Sequence, residues 1–161
     1  MKKIIVTGGL GFIGSNLIEL LLKKKFKVIN IDKVSYSSNF YNTKEYNKNK
    51  NYKFIKCSLG NQKKLLSIFK KYKPNCIFNL AAETHVDRSI DGPKNFIDSN
   101  IYGVFSLLEV CKKFLKIKKN FKLIHISTDE VYGDIPKGRS KETDKYKPSS
   151  PYAASKASSD H

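Results

Sequence analysis

The stretch KKIIVTGGLGFIGSNLIELLL, residues 2–22, decides the fold. It starts as a short apolar run, Ile4-Ile5-Val6, with the character of a buried strand. A glycine turn follows, and then Ile13, Leu17, Ile18, Leu21 and Leu22 recur at helical spacing to about Lys24. Between strand and helix, Thr7 to Gly14 satisfies both G-x-G-x-x-G and G-x-x-G-x-x-G. The chemistry asks for glycine twice. The chain must turn tightly, and a pyrophosphate must approach peptide N–H groups at a helix N-terminus with no Cβ in the way. Gly8, Gly11 and Gly14 are the expected contacts. Asp32 closes the next strand about 18 residues after Gly14, near the spacing of the acid that holds a ribose diol. An acid there repels a 2′-phosphate, so the expected cofactor is NAD and not NADP.

The rest of the chain repeats the opening rhythm. KVINID is a second strand, and residues 33–51 form a long polar loop without periodicity, a type that is usually functional in a compact domain. YKFIKCS is a third strand, and Leu65, Leu66, Ile68 and Phe69 mark a helix that Pro74 stops before the strand CIFNLAA. Pro93 opens a long helix whose apolar positions include Phe96, Ile97, Ile101, Val104, Leu107, Leu108, Cys111 and Leu115. FKLIHIS is a fifth strand, predicted to be buried, and SSPYAASKASSDH begins a last helix with Ser149 or Ser150 as cap and Pro151 in its first turn. Strands alternating with helices predict an α/β fold, a Rossmann-like doubly wound parallel sheet over residues 1–161. The sequence reaches His161 inside a helix that has just begun, so it is expected to be the N-terminal part of a longer protein.

Composition removes several function classes. No apolar run is long enough to span a bilayer, and the glycines after Val6 break the continuous stretch a signal peptide needs. A cytoplasmic protein with no membrane partner is expected. Cys57, Cys76 and Cys111 are far apart and fit neither a disulfide framework nor a metal site. The net charge is +17, but Arg88 and Arg139 are the only arginines, and the lysines read as scattered around every element. Specific phosphate or base recognition favours the arginine fork, so no specific nucleic-acid partner is expected. Nucleic-acid binding through the basic surface would show steep salt dependence and no sequence preference.

HISTDEVYGD, residues 125–134, places a hydroxyl and two adjacent carboxylates, Thr128, Asp129 and Glu130, at a strand end. Tyr152 and Lys156 stand four residues apart on one helix face, where a cation can favour phenolate and make the tyrosine a base near neutral pH. The same lysine can reach a nicotinamide ribose.

Taken together, VTGGLGFIGSN, NLAAETHVDRSI, ISTDEVYGD and SSPYAASKASSDH resemble the extended short-chain dehydrogenase/reductases, and within them the dTDP-glucose 4,6-dehydratases. The resemblance covers about the N-terminal half of such an enzyme, leaving out most of the nucleotide-sugar-binding domain. It implies a hydro-lyase that oxidises the sugar at C4, eliminates water across C5 and C6, and returns the hydride to C6. Tyr152 would take the C4 hydroxyl proton, Thr128 would hold that hydroxyl, Glu130 would remove the C5 proton, and a protonated Asp129 would protonate the departing C6 hydroxyl. It further implies Phe12 and Ile13 against the pyrophosphate, and Asp32, Lys33, Val34 and Ser35 around the adenosine ribose. Ser58 and Leu59 would lie near adenine, and Leu80, Ala81, Ala82, Glu83 and Thr84 would line the cofactor, with Thr84 also near the sugar. Ser99, Tyr152 and Lys156 complete the implied cofactor set. Two positions depart from the pattern. Ser58 replaces an acid that would contact adenine, and Ser99 replaces the threonine usual before Asn100.

The implied partners are a nucleotide-sugar substrate and a second copy in a homodimer, packed through helices at 93–115 and from Pro151. His85, Asp87 and Arg88 match the pattern without an assignable role, and His125 reads as a core histidine. Two alternatives stay open: an NAD-dependent epimerase or decarboxylase acting on a UDP-sugar, and a dinucleotide-binding piece without catalysis.

Overall fold

The computed structural model describes residues 1–161. Five parallel strands make one sheet in the order β3-β2-β1-β4-β5: β1 Lys3–Thr7, β2 Lys27–Asp32, β3 Tyr52–Lys56, β4 Cys76–Asn79 and β5 Lys122–His125. The chain reverses its direction of travel across the sheet between β3 and β4, which flank β1 and β2 on opposite sides. This is the doubly wound topology that the alternation predicts, with the ligand crevice at the carboxyl ends of β1 and β4.

Alternation along the strands builds a core on each face. Ile5, Ile29, Ile31 and Ile77 face one way, onto Leu65, Ile68 and Phe69 of α2 (Gln62–Tyr72) and Leu107, Val110 and Phe114 of α5 (Gly103–Leu115). Ile4, Val6 and Val28 face the other, onto Ile18 and Leu21 of α1 (Phe12–Lys23). Phe69, Phe114 and Phe121 close the first core edge to face, with centroids 5.3 to 5.7 Å apart. Each such pair contributes about 1 kcal/mol beyond its buried area.

Contacts divide the chain into two compact units, Met1–Ala81 with Ser106–Ile126, and Ala82–Phe105 with Ser127–His161. The first holds the sheet, α1, α2 and most of α5. The second holds α3 (Val86–Asp91), α4 (Lys94–Phe96), a π-helical segment Ile97–Tyr102, a 3-10 turn Asp129–Tyr132 and α6 (Pro151–Asp160). The positive charge is not scattered. The only acids of the first unit are Glu19, Asp32, Glu45 and Glu109, so the lysine excess falls there.

Four sequence expectations change. β5 is an edge strand: Leu123 packs on the first core, but Ile124 and Ile126 are 39% and 37% exposed, because they point to the face where α1 covers only β1 and β2. Ile13 is exposed at the start of α1, off the buried stripe of Gly14, Ser15, Ile18 and Leu21. The helix after Pro93 is interrupted by its π segment, which shifts the phase, so Val110 and Phe114 are buried while Ile97, Leu108 and Leu115 are exposed. The loop after β2 contains a 3-10 helix, Phe40–Tyr46, capped by the Asn39 side chain on the Tyr41 N–H. No helix is long and apolar enough to cross a membrane.

Candidate active site

In the first unit the glycine turn closes against the end of β4. Gly8 has φ +69°, and a Cβ there would lie 2.8 Å from the backbone of Ala81. A Cβ on Gly14 would lie 2.8 Å from Gly9 Cα. Only bare backbone fits both places. Gly11 N donates to Gly8 O at 3.2 Å and Ser15 N to Gly11 O at 3.0 Å, so the turn runs straight into α1. Phe12 and Ile13 stand exposed at that helix start, 82% and 64%. They are available to cover a ligand seated on the first-turn amides.

Asp32 is tied to this turn. Its Oδ2 accepts the Leu10 N–H at 3.1 Å, and its Oδ1 accepts the Val34 N–H at 2.8 Å and the Ser38 hydroxyl at 2.9 Å. A carboxylate accepts about four hydrogen bonds, so Oδ2 keeps capacity for a sugar hydroxyl. Val34 sits at φ +64°, a costly conformation for a β-branched residue, held by the bond to Asp32. Lys33 is exposed and Ser35 half-buried beside it. Ser58 lies just past β3, next to Asp32, whose carbonyl accepts the Cys57 N–H at 2.9 Å. The Ser58 hydroxyl accepts the Gly60 N–H at 3.3 Å, and Leu59 points into the core, leaving only its backbone for any ligand. Leu80 and Ala81 are half-buried beside the turn. A Cβ-free cradle, a helix start and a strand-end carboxylate suit a pyrophosphate joined to a ribose diol.

His125 is half-buried on the edge strand β5 and lies outside the core that the sequence suggests for it. Thr7 Oγ1 donates to Asn79 Oδ1 at 2.6 Å, and the Asn79 amide meets His125 Nδ1 at 2.9 Å, a structural chain across three strands. No group of His, Cys, Asp and Glu side chains could hold a metal ion, and all three cysteines are free.

The second unit gathers the proton-handling residues. Ser150 caps α6 by accepting the Ala153 N–H at 3.0 Å, with Pro151 in the first turn. That start fixes Tyr152, 8% exposed, and Lys156, 4% exposed. Thr128 caps the 3-10 turn, its Oγ1 accepting the Glu130 N–H at 3.3 Å, so Asp129 and Glu130 project from one short turn into solvent. Gly133, at φ +80°, ends the turn where a Cβ would overlap the Lys147 carbonyl. The Thr128 side chain also reaches the Tyr152 phenol and draws its ionisation down. Turn and helix therefore meet.

The phenol departs from expectation. Burial pushes Tyr152 up from its ordinary value, Glu130 and Asp129 push the same way, and the Thr128 hydrogen bond pulls it down without winning. Burial also lowers the Lys156 ammonium, with Asp160 opposing. Desolvation outweighs the helix-neighbour cation that the spacing suggested.

Several residues that the sequence reading gave no role position these groups. Ser89, fully buried, accepts the Tyr152 N–H at 3.0 Å and donates to Val86 O at 2.5 Å, which makes the segment after His85 a support for α6. Asn100, in the π segment, accepts the Glu83 N–H at 2.8 Å and donates to Glu83 O at 3.0 Å and Ser155 Oγ at 2.9 Å. It fixes Ala82, Glu83 and Thr84 at one end and the residue before Lys156 at the other. Ser99 precedes it, half-buried, and Thr84 is exposed. A π segment inside a helix is the signal that could have marked Asn100, and sequence periodicity does not reveal it.

The chain is 45% identical, over 100% of its length and 50% of the relative's, to a dTDP-glucose 4,6-dehydratase of Haemophilus influenzae. A solved dTDP-glucose 4,6-dehydratase of Bacillus anthracis in complex with NAD superposes with a TM-score of 0.87 at 40% identity, covering 99% of this chain and 48% of that one. A UDP-glucose 4-epimerase of Thermus thermophilus in complex with NAD superposes at 0.86 with 32% identity, covering 99% and 49%. The chain thus spans about half the length of the relatives it matches. With residues 5–161 matching the model described as GDP-mannose 4,6 dehydratase, the cradle, the acid pair and the Tyr–Lys helix stand in a continuous match, and the chain belongs to that family.

Proposed function

We propose that the chain supplies the dinucleotide-binding and proton-transfer parts of an NAD-dependent hydro-lyase that converts dTDP-glucose to dTDP-4-keto-6-deoxyglucose. The observation that supports it most is the Asp129–Glu130 turn, capped by Thr128 and held against the Tyr152 helix by the Ser127–Asp160 hydrogen bond. An elimination next to a ketone needs a base for the C–H proton, an acid for the leaving oxygen and a group that ionises an alcohol. Here they are grouped on one turn and one helix.

Gly8, Gly11, Gly14 and Asp32 would hold NAD, which would supply the acceptor for the C4 hydride and its return to C6 in the same turnover. Tyr152 takes the C4 hydroxyl proton and Thr128 holds that oxygen. Lys156 favours the phenolate and would bind the cofactor ribose. Glu130 takes the C5 proton, which the C4 ketone has made acidic, Asp129 gives a proton to the C6 oxygen, which leaves as water, and Glu130 returns its proton to C5 as the hydride reaches C6. The sugar gains and loses the same two electrons, so the net reaction is dehydration.

A homodimer and a cytoplasmic setting belong to the same proposal. Exposed Tyr102, Phe105 and Leu108 support the first, and three reduced cysteines support the second. The epimerase similarity gives a second reading, a UDP-sugar epimerase using the same cradle and the same Tyr152 and Lys156. The Asp129→Asn variant of the protein as its gene encodes it separates the two. We expect C4 oxidation to persist while water loss from dTDP-glucose slows about 100-fold or more. Unchanged elimination, or epimerised product from the parent protein, would sink the dehydratase reading.

A further inference from the structure

Tyr152, Lys156 and Asp160 stand at i, i+4 and i+8 of α6, a single stripe of one helix. Two of the three have roles in the proposed chemistry. Asp160 is no idle surface acid either. Its Oδ2 accepts the Ser127 hydroxyl at 2.5 Å and the Tyr146 phenol at 3.1 Å. Ser127 leads the chain into Thr128, the cap of the acid-bearing turn. Tyr146 packs edge to face with Tyr132, the last residue of that turn, at 5.2 Å between centroids. A single carboxylate therefore ties the entrance and the exit of the Asp129–Glu130 turn to the last turn of α6.

Its second neighbour is Lys156, one helical turn earlier and almost fully buried. A buried ammonium favours losing its proton, and Asp160 is the charge that works against that loss. The titratable groups around Asp160 are Lys156 on its own helix, Tyr146 from the preceding loop, Tyr132 beyond it, and His161, whose ring lies 5.3 Å from that of Tyr146. The Tyr146 phenol is pushed up, by burial first and then by Asp160, so it stays a donor to the carboxylate.

We propose that Asp160 is a positioning residue for the proton chemistry: its carboxylate is the counter-charge of Lys156 and the anchor that registers the Ser127–Glu130 segment against the Tyr152 helix. This rests on the reading of Tyr152 and Lys156 given under Proposed function. Asp160 touches no reacting atom. It acts through Lys156 and Thr128.

The test uses Asp160→Asn, which keeps an acceptor for Ser127 and Tyr146 but removes the charge, together with Asp160→Glu, which keeps the charge. In the protein as its gene encodes it, we expect D160N to slow C4 oxidation about tenfold at neutral pH. The loss should deepen as pH rises, because Lys156 gives up its proton earlier, while KM for the nucleotide sugar stays within about twofold. D160E should recover most of the rate. A pH profile of unchanged shape, with activity either intact or scaled down uniformly, would overturn the proposal. If the parent protein leaves dTDP-glucose untouched, the functional reading has failed, and Asp160 is judged separately by magnetic resonance titration of isotope-labelled lysine, with Lys156→Met identifying the signal. A Lys156 ammonium that titrates at lower pH in D160N upholds the counter-charge role, and an unmoved titration overturns it.

Discussion

The Thr128 hydroxyl serves both the turn it caps and the phenol of Tyr152. It accepts the Glu130 N–H at 3.3 Å, donates to Asp129 Oδ1 at 3.4 Å, and draws the raised Tyr152 phenol back down. Its single proton points to Asp129 Oδ1 in the resting turn and is the donor at hand for a phenolate that forms on Tyr152.

Replacing Thr128 with valine keeps the shape and removes that donor. The Tyr152 phenol should then move further above its ordinary value, so the acidic limb of the pH–rate profile for C4 oxidation shifts to higher pH. The neutral-pH rate should fall about tenfold or more. Stopped-flow measurement of reduced nicotinamide across pH checks it, and Thr128→Ser should restore the limb.

Asn100 shows what backbone accounting demands. Its amide satisfies both the N–H and the C=O of buried Glu83, and it reaches Ser155 on α6. Asn100→Ala would strand both backbone groups, at a cost of about 2 to 4 kcal/mol. Asn100→Asp keeps the acceptor but loses both donors and buries a charge, so it should be no better. Urea denaturation of the two variants against the parent protein measures this, and a loss under about 0.5 kcal/mol for both would refute the clamp.

Cys111 predicts the alkaline behaviour of the first core. Burial pushes its thiol up to about 12 from 9.0, so the folded state keeps a proton that the unfolded chain releases. The stability tied to that proton is complete below pH 9.0 and lost as pH rises toward 12. Cys111→Ala should therefore lose about 1 kcal/mol less than the parent between pH 9.0 and 10, in parallel urea titrations. In the folded parent, Cys111 should also resist iodoacetamide at neutral pH and react only in denaturant.

The sequence by itself determined the sheet, because parallel strands buried on both faces leave runs such as Ile4-Ile5-Val6 and Val28-Ile29, and the glycine turn leaves Gly8 and Gly14 where no Cβ fits. It also determined where the acid pair and the Tyr152–Lys156 pair lie, since a cap and a four-residue spacing are local facts. Tertiary structure decided the rest. An edge position exposes Ile124 and Ile126, although their residue types match a central strand. A π segment carries Asn100 onto Glu83 and Ser155, and the supports Ser89 and Asp160 become visible only when distant segments meet. The ionisation of Tyr152 was the least legible, because spacing reports the neighbouring lysine while burial, which outweighs it, depends on what the whole unit packs around the ring.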